Sequence, residues 1–223
     1  IMTRYYYNII ILGLFSILML SCTGTKSFTR KAVKLEEAKQ YPAAAEMFYK
    51  ALVAKQTNVK AYDGLTRTGQ IVLDEIMLKF KKANLSSDNK KVVYSYLEAK
   101  RYIEKVKKYN VKLIFSDFYK ADYIKARDIY VNEIYNQALD YFENEKYEKA
   151  ENIFKEIIKL NPKYKDVEAL KNESYLRPLY AKGKNMYYEK QYRDSYYNLK
   201  KVIHKDPNYK DAKKLMQSAL KKG

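Results

Sequence analysis

Two stretches decide the fold: residues 147–166, YEKAENIFKEIIKLNPKYKD, and residues 192–211, YRDSYYNLKKVIHKDPNYKD. They superpose at a separation of 45 residues. Tyr147, Ala150, Phe154 and Ile157 align with Tyr192, Ser195, Leu199 and Val202, and the spacing of three, four and three places each set on one face of a helix. Asn161-Pro162 and Asp206-Pro207 follow, where a helix must stop because proline lacks an N–H and clashes with the preceding turn. Upstream, Ala138 aligns with Gly183 and Tyr141 with Met186; downstream, Leu170 aligns with Leu215. An internal repeat of this kind has to be explained before any single residue is.

The rest of the chain fits long helices. Its 223 residues contain only six glycines and four prolines, too few for a protein of strands and tight turns. It is 47% hydrophobic and 31% charged, which supplies a core. One cysteine excludes an intrachain disulfide, and one histidine excludes His-pair metal sites and argues against a His-based triad. The net charge of +18 favours anionic surfaces without specifying a fold.

The repeat resembles the tetratricopeptide repeat (TPR), a pair of antiparallel helices with small residues where the helices cross and a proline after the second. Ile134, Ala138, Tyr141, Tyr147, Ala150, Phe154, Ile157 and Pro162 follow that pattern, as do Leu179, Gly183, Met186, Tyr192, Ser195, Leu199, Val202 and Pro207. A looser copy is Phe28, Ala32, Leu35, Tyr41, Ala44, Phe48 and Ala51, with Gln56 in place of proline. A fourth keeps only its second helix, Tyr96, Ala99, Ile103, Val106 and Asn110, with Val111 replacing proline. The copies lie 55, 51 and 45 residues apart, against about 34 in the family. The last excess is about three turns at 3.6 residues per turn, which keeps the apolar stripe in phase.

The resemblance implies an all-α, TPR-like solenoid of antiparallel helical hairpins with lengthened helices. Residues 60–83 are predicted to be helical, with Gly64 and Gly69 as weak points, and 84–89 to be a break. Residues 117–144 could form one helix, a break or kink is expected near Arg177 because of Pro178, and 209–222 suit a polar capping helix.

At the N-terminus, Ile9 to Leu20 is an apolar run broken only by Gly13 and Ser16, the length of a leader core. The residues alone fit a signal anchor or an ordinary secretory leader. Ser21-Cys22, followed by the polar run 23–27, resembles a bacterial lipoprotein signal, in which the leader is cut before the cysteine and the cysteine is acylated. That resemblance implies lipidation at Cys22. Thr23 is not the aspartate of inner-membrane retention, so the expected location is the outer membrane, lipid-anchored on the periplasmic side. The expected organisation is a leader at 1–21, a lipid-anchored linker at 22–27, degenerate hairpins at 28–112, and repeats with a capping helix at 113–223.

The TPR family binds partner segments on the inner face of its first helices. Carried over, that face comprises Asn132, Tyr135, Leu139, Phe142 and Glu143 in one copy, and Arg177, Tyr180, Lys184, Tyr187 and Tyr188 in the next. Tyrosine suits such a face, burying large area at low entropy cost and keeping a hydroxyl. With 25 tyrosines, many must instead be core. The expected function is a non-catalytic protein–protein interaction scaffold holding another envelope protein or peptide segment in an assembly or secretion complex. It is expected to have no cofactor, no metal, no nucleic acid and no small-molecule substrate.

Lysines crowd the C-terminus, among them Lys200, Lys201, Lys205, Lys210, Lys213 and Lys214. They make an electrostatic binder of envelope polyanions, lipid head groups or lipopolysaccharide, the alternative. A helical peptidoglycan-acting enzyme is the third possibility. His204 near a helix end is expected to be exposed, and Glu143, Glu145 and Glu148 sit among lysines as surface pairs rather than as an acid/base couple.

Overall fold

The protein is described by a computed structural model covering residues 24–223; the expected leader and Cys22 lie outside the described residues. Helices follow one another in the order α1 (24–37), α2 (Tyr41–Ala54), α3 (Val59–Leu85), α4 (Asn89–Lys107), α5 (Tyr119–Glu143), α6 (Tyr147–Leu160), α7 (Val167–Tyr188), α8 (Tyr192–Lys205) and α9 (Ala212–Lys222). No strand occurs among the described residues, and the all-α expectation holds.

Four of the turns are built alike. The α1–α2, α3–α4, α5–α6 and α7–α8 turns place Lys39, Ser87, Glu145 and Lys190 in the left-handed region, with φ of 58, 55, 57 and 62°. In each, the next residue's N–H reaches back five residues, to the carbonyls of Leu35, Ala83, Tyr141 and Met186, at 2.8 or 2.9 Å. The left-handed residue itself bonds three back, to Glu36, Asn84, Phe142 and Tyr187. This pair of bonds is the Schellman arrangement, which satisfies the orphan carbonyls of a helix end and reverses the chain. Such short connections make neighbouring helices antiparallel.

The exits of the second helices also repeat. Lys55, Asn161 and Asp206 are extended, each bonded to the carbonyl four residues before it. Asn58, Tyr164 and Tyr209 then donate back to those three residues, each at 3.2 Å. Gln56 thus occupies the same turn as Pro162 and Pro207, so proline marks this exit without being required for it.

The chain divides into two units, the first ending at Arg127 and the second spanning Asp128–Gly223; α5 contributes residues to both. In the first unit α2 packs on α3 and α3 on α4. Ala32, Ala44, Phe48, Ala51, Leu65 and Val106 form its core. Full burial of a side chain such as Phe48 or Leu65 stabilises by about 1.5–3 kcal/mol. A second layer stacks Tyr96 on Tyr123 at 4.3 Å and sets Phe80 against Tyr119 at 5.5 Å.

In the second unit α6 packs on α7, α7 on α8 and α8 on α9. Ala138, Ala150, Phe154, Ile157, Ser195, Leu199 and Val202 are all fully buried. These are the small and large apolar positions of the aligned stretches.

Several local expectations need correction. Gly64 is a close contact rather than a weak point: a Cβ there would lie 2.4 Å from the Phe48 ring. At Gly69 a Cβ would meet the Tyr102 hydroxyl at 3.1 Å. The break expected over 84–89 narrows to 86–88, because Asp88 caps α4 by accepting from the Lys91 N–H at 3.0 Å. No helix end falls near Arg177, since α7 continues through Pro178. Pro178 is exposed there, while Leu176 and Tyr180 on either side are buried, and their burial works against proline's cost of about 3 kcal/mol in a helix interior. Residues 24–27, expected to be a linker, are the first turn of α1.

Candidate functional site: two faces of the second unit

The predicted inner face of the second unit is largely tied up by its own tyrosines. Tyr135 on α5 is only 7% exposed and donates to Asp166 Oδ1 at 2.7 Å. One repeat later Tyr180 on α7, 9% exposed, donates to Asp211 Oδ1. Asp166 and Asp211 stand at the N-caps of α7 and α9 and make no side-chain cap bond; each instead accepts from a phenol. Lys165 sits 4.3 Å over the Tyr135 ring and Lys210 5.0 Å over Tyr180. Burial first, and then the bond to aspartate, push both phenols up to about 12. Burial likewise raises Tyr209, whose hydroxyl donates to Glu173 Oε2 at 3.0 Å.

Tyr135 and Tyr180, expected as groove contacts, are buried and bridge successive hairpins. Tyr187 is partly engaged as well. Its hydroxyl meets Ser218 Oγ at 2.7 Å and receives the Lys222 ammonium at 2.8 Å, and the Lys222 bond lowers its pKa first of all. Asn132 accepts from the Tyr164 hydroxyl at 3.0 Å. Leu139 is half-buried. What remains accessible is Asn132, Glu143, Arg177, the half-buried Lys184, and Tyr188, which is 67% exposed. Arg177 is held in place, donating to Glu173 at 2.9 Å and lying 4.7 Å over the Phe142 ring.

A different part of the same unit holds a cleft of about 650 Å³ between α6, α7 and α8. Lys155, Lys171, Asn172, Tyr175, Tyr197, Lys200, Lys201, His204 and Lys205 line it, with Glu151 as its only acid. Two of the lysines are already paired, Lys155 with Glu151 at 2.7 Å and Lys171 with Glu168. No carboxylate among the described residues pairs with Lys200, Lys201 or Lys205. His204 is exposed, as expected.

The lysines were visible in the sequence as a basic run. Their convergence with Tyr175, Tyr197 and Asn172 was not, because three helices contribute. One signal could have found it: at the 45-residue separation, Glu156 aligns with Lys201 and Tyr130 with Tyr175. In the earlier copy Tyr130 donates to Glu156 at 2.6 Å. In the later copy the acceptor is replaced by a cation.

Among the described residues no group of three or more His, Cys, Asp or Glu side chains could hold a metal ion. No helix there is long and apolar enough to cross a membrane. The fold defines an all-α protein of helical hairpins packed in succession within each unit. No protein-family model matches the chain, and no curated protein matches it.

Proposed function

We propose that the chain is a non-catalytic, TPR-like scaffold of the bacterial cell envelope, anchored by acylation of Cys22 and holding a partner protein or peptide segment. The observation that carries this reading is the repeated bridge, Tyr135 to Asp166 and Tyr180 to Asp211, which fixes successive hairpins and leaves Arg177, Lys184 and Tyr188 presented on a preset surface. A surface whose supporting side chains are already ordered loses less entropy when a partner arrives. The products of such a protein are shape and position.

The experiment is a crosslinking pull-down from native membranes with the wild type and with Arg177, Lys184 and Tyr188 all replaced by alanine. Loss of the captured protein in the triple variant, with its melting curve unchanged, supports the reading. Equal capture by both removes this face from consideration.

The uncompensated Lys200, Lys201 and Lys205 favour a second reading, electrostatic binding of envelope polyanions. Salt separates the two. Long-range attraction between exposed charges weakens steadily as salt rises, whereas contacts made by buried surface persist.

A further inference from the structure

We infer that the cleft between α6, α7 and α8 is a recognition site for an acidic peptide segment, whose carboxylate takes the place that Glu156 fills one repeat earlier. This rests on the scaffold reading and names the chemistry of a partner for it. The comparison of the two copies is the core of the argument. Tyr130 donates to the Glu156 carboxylate at 2.6 Å, an internal pair. Tyr175 and Lys201 stand at the equivalent positions, and among the described residues the Tyr175 hydroxyl has no hydrogen-bond partner. A phenol donor beside an ammonium is a receptor for a carboxylate from outside.

The surroundings agree with that occupant. Lys200 and Lys205 add two further cations without paired acids, so the cleft carries uncompensated positive charge. Tyr197, 51% exposed, and Tyr175, 38% exposed, offer ring surface to an apolar side chain. Asn172 Oδ1 is a buried acceptor with no partner. A buried acceptor of that kind calls for a donor, and a peptide N–H supplies one. A volume of about 650 Å³ suits a few residues of an extended segment and lies within the usual range for ligand sites.

The probe is a fluorescein-labelled peptide of alternating glutamate and phenylalanine, read by anisotropy against the purified full chain in detergent at physiological salt. Controls are the same peptide with glutamine for glutamate, inorganic phosphate as competitor, and phosphatidylglycerol vesicles. The wild type is expected to bind the acidic peptide and not the glutamine version. Lys201→Glu, which restores an internal acceptor for Tyr175, is expected to weaken binding about tenfold or more. Tyr175→Phe is expected to weaken it by a smaller factor.

All these side chains are exposed or half-buried, so the melting curve should not move, and the Arg177, Lys184 and Tyr188 triple variant should bind the probe normally. Absence of acidic-peptide binding, or binding unchanged in Lys201→Glu, overturns the proposal. So does displacement of the peptide by inorganic phosphate, or vesicle binding lost in Lys201→Glu without peptide binding; either assigns the cleft to phosphate groups. If the cleft fails while capture from native membranes still depends on Arg177, Lys184 and Tyr188, the scaffold reading stands and only this site falls.

Discussion

Ser195 Oγ donates a 2.7 Å hydrogen bond to the carbonyl of Gly183, joining α8 to α7 where the two helices cross. Both residues are small, and Ser195 is fully buried. A Cβ on Gly183 would lie 2.8 Å from Leu199 Cγ. The crossing is therefore closed by volume and by one bond. Ser195→Ala is expected to cost about 1 kcal/mol and Gly183→Ala about 1–3 kcal/mol, measured by chemical denaturation. Neutral effects from both would show that the helices are not in close contact here.

Ala150 holds the corresponding place in the preceding hairpin and is fully buried. Ala150→Leu is expected to destabilise by about 1–3 kcal/mol through overpacking. A thermal melt reports it directly, and an unchanged curve would contradict the packing described.

Lys190 occupies the left-handed region at φ 62° without being glycine. That conformation costs an L-residue about 1–2 kcal/mol, part of which glycine's greater chain entropy offsets. Lys190→Gly should therefore raise stability by about 0.5–1 kcal/mol, and Lys190→Val should lower it. Reversed signs in denaturation midpoints would place this turn elsewhere in φ,ψ space.

Alkaline pH should loosen the second unit in a defined window. Tyr135 and Tyr180 are held protonated up to about 12 against an ordinary value of 10.0. A group whose folded pKa is raised contributes fully below its unfolded value and loses that contribution as pH climbs through the folded one. The melting temperature should fall between pH 10 and about 12, and the slope should be shallower when both residues are phenylalanine. An identical slope would mean that these phenols ionise alike folded and unfolded.

Cys22→Ser is expected to move the protein from the membrane pellet to the soluble fraction, since several acyl chains hold far more firmly than one. Retention in the pellet would remove the lipid anchor from the proposed function.

Much of the fold was legible because it is written in helix periodicity. Ala138, Ala150, Phe154, Ile157, Leu199 and Val202 are buried where their spacing placed them. The turns were less legible. Lys39, Ser87, Glu145 and Lys190 carry no glycine signal, yet all four close the same Schellman arrangement. Pro178 misled because local chain chemistry opposes a helix there while burial on both sides favours one. The candidate faces were hardest. Tyr135 and Tyr180 had the positions of surface contacts, but an aspartate 31 residues further on draws each hydroxyl inward. The cleft at Tyr175 and Lys201 depends on a charge exchanged between repeats, and spacing within one helix does not display it.

The central claim, that this chain works by presenting a preset surface to a partner, is tested most directly by crosslinking in native membranes through a photoreactive residue at Tyr188. A single predominant crosslinked protein, retained at high salt and lost when Arg177 and Lys184 are replaced by alanine, is the predicted result. No specific crosslink, or crosslinks that vanish with salt alone, would contradict it.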